Sequence, residues 1–207
     1  MEGCIKMMID FENIEEKIKA AASSQEYKGL IFKVNQAKKI FLIGNGGLHY
    51  VASHMATDLS RLIPSKAVYS FDSVGFITSN ANDHGYNQIF IRWLETIASV
   101  EDPTECLVIG LSCSGNSSNV VDCLHWAEDK GFSTFMMSGD KSEVLRSDIE
   151  ELSIKCKYFH TVEVSILMIF YDLIHRTGNH CPSIKQEKTR LSGSELRKSN
   201  VETWEPM

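Results

Sequence analysis

"CLVIGLSCSGNSSNVVDCLHWAEDK", residues 106–130, decides how the rest of the chain is organised. Cys106 to Leu111 is a short apolar run between Pro103 and the turn, which reads as a strand buried in a parallel sheet. From Asn119 to Lys130 the apolar residues Val120, Val121, Leu124 and Ala127 fall at helical spacing. The link between them, Ser112-Cys113-Ser114-Gly115-Asn116-Ser117, consists of small or polar residues and is therefore a strand-to-helix turn. In a doubly wound sheet such turns form the edge where ligands bind.

Outward from this unit the alternation continues. Strands are expected at 39–44, 67–70, 133–137 and 152–154, and helices at 47–62 (stopped by Pro64), 86–97 and 160–175. Two amphipathic helices precede them, one carried by Phe11, Ile14, Ile18 and Ala21-Ala22 and one over 27–37. Strands alternating with helices from residue 39 onward predict an α/β fold, a three-layer αβα sandwich with a central, mostly parallel five-stranded sheet. The expected organisation is one domain over 1–175 and a polar tail over 176–207. The tail carries six Lys or Arg and four Glu, with Leu191, Leu196 and Trp204 as residues that could dock on a neighbour.

The bulk composition narrows the function classes. A chain of 207 residues with 43% hydrophobic residues has the material for one good core. Its net charge of −6, without a dense basic patch, argues against direct binding to nucleic acid. No apolar run is long enough to cross a bilayer, and the opening residues are too acidic and interrupted for a signal peptide, so a cytoplasmic protein is expected. The six cysteines, at 4, 106, 113, 123, 156 and 181, form no C-x-x-C pair and read as reduced thiols. Cys106 and Cys156 are expected in the core. Cys113, in a turn at a helix N-terminus, is expected to have a depressed pKa.

Two turns carry the chemistry. Gly44-Asn45-Gly46-Gly47 lacks the spacing of a dinucleotide fingerprint, and no Lys follows its glycines as in a P-loop. What remains for it and for Ser112 to Ser117 is a monophosphate, held by unpaired helix-start amides and by the hydroxyls of Ser112, Ser114 and Ser117 without a fixed positive charge. A simpler role as helix caps is the alternative. His54 and Asp58, four apart on the helix after GNGG, share one face and are candidates for metal binding or acid–base work. Asn82-Asp83-His84-Gly85 reads as a polar turn, and His160 opens the last helix.

Taken together, Gly44 to Gly47 with His54 following, Asn82-Asp83-His84-Gly85-Tyr86, and Ser112 to Val120 resemble the SIS (sugar isomerase) domain family. Within it they resemble the phosphoheptose isomerases, which interconvert sedoheptulose 7-phosphate and D-glycero-D-manno-heptose 7-phosphate. The resemblance runs in order from about residue 10 to 175. It implies a flavodoxin-like fold and a homotetramer with active sites between subunits. The family's phosphate grip, S-T-S-G-N-S, maps onto Ser112, Cys113, Ser114, Gly115, Asn116 and Ser117, with Asn45, Gly46, Gly47, Asn82 and Asp83 as further substrate contacts.

Departures from the family pattern fall at both ends of the site. Leu48 stands where the isomerases have a Ser whose hydroxyl helps hold the phosphate, and Asp58 stands where they have the Glu proposed as base of a cis-enediol mechanism. His160 stands at a Gln, and Met168 at the matching His, so the usual acid is replaced by a side chain that moves no proton. Some relatives bind zinc; here His54, Asp58 and His160 would be both the metal ligands and the catalytic set. Two readings follow: a sugar-phosphate isomerase, or a non-catalytic SIS-domain phosphosugar-binding or scaffold protein with a degenerate site.

Overall fold

The computed structural model describes residues 10–183; residues 1–9 and 184–207, with Cys4, Leu191, Leu196 and Trp204, lie outside the described residues. Two helices, α1 (Ile14–Ala22) and α2 (Gln25–Gln36), lead into β1 (Lys39–Gly44), α3 (Gly47–Leu62), β2 (Ala67–Ser70), α4 (Val74–His84) and α5 (Ile89–Ile97). Then follow β3 (Cys106–Ser112), α6 (Ser118–Asp129), β4 (Ser133–Ser138), β5 (Glu150–Ser153) and α7 (Phe159–Arg176). The five strands form one parallel sheet in the order β2-β1-β3-β4-β5.

Successive strand residues face opposite sides, so each strand feeds two cores. Ile40, Leu42, Leu107, Ile109, Phe135 and Met137 pack against α2, α3 and α7. Phe41, Ile43, Val108 and Met136 pack against α5 and α6. β3 is buried along its whole length. Gly110 within it is required by α6, because a Cβ there would lie 2.7 Å from Val120 Cγ1 and 2.8 Å from Leu124 Cδ1.

Strand order reverses between β1 and β3, the place where a doubly wound sheet opens a crevice. Gly44 is in register with Leu111, so the loops leaving β1 and β3 emerge side by side.

Several elements differ from the sequence expectation. The stretch 86–97 is a 3-10 turn over Tyr86–Gln88 followed by α5. Asn82 to His84 form the last turn of α4 instead of a loop, ended by Gly85 at φ +86°. α4 has no fully buried residue; only Phe76, Ile77 and Ala81 pack, partly buried, against the core, so its apolar face is short and its periodic signal weak.

The start of α7 is capped from far away in sequence. Glu12, at φ +49°, accepts hydrogen bonds from the amides of Lys157 (2.9 Å) and Tyr158 (3.1 Å) and from Thr161 Oγ1 (2.5 Å). Those contacts, led by Thr161, lower its pKa to about 2.

Candidate active site

The loops after β1 and β3 converge with the first turns of α7 around a cavity of about 250 Å³. Asn45, Gly46, Gly47 and Leu48 line one side, Leu111, Ser112, Cys113, Ser114 and Ser117 another, and Phe159 and Glu163 the third. Thus seven of the residues singled out from sequence meet at one place. Gly46 makes the first loop possible, with φ +55° and ψ −125°, a conformation restricted to glycine. Gly115 does the same for the second at φ +71°.

The serine loop is organised from within. Ser112 and Ser117 share a hydroxyl–hydroxyl bond of 2.9 Å, and Ser114 Oγ accepts from the Asn116 amide at 3.2 Å. No side chain caps α6, so the amides of Ser118 and Asn119 are left for a ligand at the positive end of the helix dipole, while that of Val120 already donates to the Ser117 carbonyl at 3.0 Å. Asn116 does not line the cavity; its Oδ1 accepts from Ser142 Oγ (3.1 Å) and the Glu143 amide (3.0 Å), fixing the segment after β4. Asn45 is a clamp between the two loops. It exchanges side-chain bonds of 2.8 and 2.9 Å with Asn119 and accepts a third, 3.0 Å, from Tyr86. Asn82 and Asp83 bond each other at the exposed end of α4 and line none of this cavity.

The reacting-end candidates are arranged differently from the expectation. His54 and Asp58 do share a face of α3, and Tyr171 of α7 joins them: its hydroxyl lies 2.8 Å from His54 Nε2 and donates to Asp58 Oδ2 at 2.9 Å. Asp58 Oδ1 accepts from Arg61 at 3.0 Å. His160 is elsewhere, stacked on Tyr158 with Nε2 3.2 Å from the Asp10 carbonyl. Eleven residues separate it from Tyr171 along α7, about 16 Å of helix. The set His54, Asp58, His160 is therefore not assembled within one chain, and no group of three or more potential ligands is present among the described residues. The three do not fit a zinc ion there, and neither His54, Asp58 nor His160 lines the cavity.

Cys113 also departs from expectation. Burial, with the Glu163 carboxylate nearby, pushes its pKa up to about 11, so the thiolate is disfavoured at neutral pH, opposite to the expected depression. Cys106, Cys113, Cys123, Cys156 and Cys181 are all free. Leu48 is buried, turning a position read as phosphate-facing into an apolar wall.

Glu163 escapes the motif reading, which weighs only 160 and 168 on this helix. The available signal is that Glu163 is one of two acidic residues in the apolar α7 and sits one turn after its start. Its carboxylate occupies the space left by Gly47, where a Cβ would fall 2.1 Å from Oε1.

No family model matches the chain. It is 28% identical over 181 residues to a phosphoheptose isomerase of Buchnera aphidicola subsp. Schizaphis graminum, covering 84% of this chain and 88% of that one. To the phosphoheptose isomerase of Aliarcobacter butzleri it is 34% identical over 135 residues, 62% of this chain and 66% of the other. In fold it is similar to the phosphoheptose isomerase GmhA of Neisseria gonorrhoeae, with a TM-score of 0.68 at 15% identity over 81% of this chain and 92% of that one. The relatives, the strand order and the paired loops agree: the chain belongs to the SIS (sugar isomerase) domain family, on the side of the phosphoheptose isomerases.

Proposed function

We propose that the protein is an aldose–ketose isomerase of phosphorylated sugars, of the phosphoheptose isomerase type, acting on sedoheptulose 7-phosphate or a related sugar phosphate. The observation that carries this reading is the convergence of the Gly44–Gly47 and Ser112–Ser117 loops on one cavity at the switch point of the sheet. The uncapped start of α6 and the hydroxyls of Ser114 and Ser117 would hold the phosphate. Anchoring that end lets binding energy position the carbons that react. An adjoining depression shares Cys113, Ser114 and Phe159 and adds Lys155 and Lys157, giving a longer sugar room to extend.

The reading includes a homotetramer in the cytoplasm. Its support is an exposed run on the paired helices α3 and α7, with Tyr50, Val164 and Met168 at 76%, 50% and 49% exposure. His54 lies on the same face and would meet a neighbouring subunit there.

The test is direct. Purified protein is mixed with sedoheptulose 7-phosphate and the aldose is followed by NMR, with a paired Ser114→Ala, Ser117→Ala variant expected to raise KM. A second reading, a phosphosugar-binding protein without turnover, is favoured by Leu48 and by the committed oxygens of Asp58. A rise in Tm with the sugar phosphate but no conversion would establish it.

A further inference from the structure

We infer that Glu163 is the carboxylate that moves the proton in this cavity, an inference that rests on the isomerase reading above. Three observations carry it. The first is placement: Glu163 lines the cavity, and Oε1 stands against Gly47, whose missing side chain makes the room. The second is availability. Among the described residues Glu163 makes no hydrogen bond and no ion pair, whereas each oxygen of Asp58 already accepts one, from Arg61 and from Tyr171. The third is the make-up of the cavity. Among its lining residues Glu163 is the one carboxylate and there is no histidine, so a sugar held there by its phosphate meets no other side chain suited to take a proton from carbon. Leu48, Leu111 and Phe159 contribute apolar wall and offer no competing proton donor or acceptor.

The step balances without a co-reactant. A Glu163 oxygen takes the proton from C2 of the aldose, the C–H electron pair becomes the C1–C2 double bond, and the carbonyl pair moves to O1, which takes a proton from solvent. The enediol then loses its O2 proton to solvent as C2=O forms, and the C1–C2 pair collects the proton from Glu163 at C1. Both carboxylate oxygens are free for the transfer, as a base serving two neighbouring carbons requires.

The experiment uses the full chain with sedoheptulose 7-phosphate in D2O, reading deuterium entry at C1 and C2, turnover, and ligand-induced Tm shift for wild type, Glu163→Gln, Glu163→Asp and Asp58→Asn. Glu163→Gln is expected to lower kcat and exchange together by about 10²–10⁴-fold while the ligand still raises Tm. Glu163→Asp, whose oxygens retract by about 1 Å, is expected to lose on the order of 10²-fold. The loss in Asp58→Asn is expected to be smaller than in Glu163→Gln by a factor of about 10 or more. Exchange in Glu163→Gln within about tenfold of wild type, or a larger loss in folded Asp58→Asn, overturns the assignment and leaves the isomerase reading standing. A wild type that neither exchanges nor converts any sugar phosphate overturns both.

Discussion

Gly115 offers the sharpest physical test of the serine loop, because the structure supplies its own control. Both Gly115 (φ +71°) and Gly178 (φ +82°), which ends α7, have left-handed backbones. A Cβ on Gly178 meets nothing within 4 Å, while one on Gly115 would fall 2.6 Å from the Asp140 carbonyl oxygen and 2.9 Å from the Ser142 amide. Those are backbone atoms, and they are tied down: Asp140 N donates to Cys113 O and Gly139 N to Ser112 O, both at 3.2 Å. Gly178→Ala should therefore cost about 1–2 kcal/mol, the left-handed penalty alone. Gly115→Ala should cost about 2–5 kcal/mol, that penalty plus about 1–3 kcal/mol of crowding that cannot relax. Urea unfolding of both variants gives the difference, since their m-values should match wild type. On the functional reading, Gly115→Ala should also weaken sugar-phosphate binding at least about tenfold, which is about 1.4 kcal/mol, with Gly178→Ala unchanged. Equal stabilities of the two variants would refute the reasoning, because the same strain would then be present without the contacts mattering.

Two further predictions follow from long-range ties to α7. The pKa of Glu12 is lowered from 4.5 to about 2, so its contribution is present above about 4.5 and is lost as pH falls through that range. The stability gap between wild type and Glu12→Gln, from urea titrations, should be full at pH 6 and should close by about pH 2. Tyr27 is fully buried and its hydroxyl donates to Asp172 Oδ2 at 2.7 Å, with burial the main cause of its raised pKa. Tyr27→Phe should cost about 1.5–3 kcal/mol by the same assay, because a bond to a charged acceptor is lost.

What the sequence discloses here is what repeats locally. The unit around residues 106–130 is legible because apolar run, polar turn and helical spacing are adjacent, and the strand order then brings the GNGG loop beside it. α4 escapes because its contact with the core is confined to the partly buried Phe76, Ile77 and Ala81, too short a face to mark a period, and Asn82 to His84 look like a turn until Gly85 ends the helix after them. The site residues that mislead are those whose partners are remote. Asp58 is read as available, yet Tyr171 approaches it across 113 positions; His160 is drawn to Asp10 across 150. A motif fixes which helix face a side chain occupies. What fills the opposite half of that face is decided by packing.

Among the described residues no cation lines the cavity, which on the proposed reading bears on how a bound phosphate and Glu163 coexist there. A lysine or arginine in the same lining would be placed to form an ion pair with Glu163. A paired carboxylate has its lone pairs engaged and its charged form favoured, both of which weaken it as a base. Neutral donors avoid this, since hydroxyls and helix-start amides stabilise an anion by geometry and do not reach across to a second one. Leu48 works in the same direction, because a serine there would place a hydroxyl within the wall that Glu163 shares. A partly buried carboxylate without a partner is costly in a fold that gains nothing from it. On the proposed reading, its place beside Gly47, whose missing side chain leaves room for it, favours chemistry over a purely binding role for this cavity.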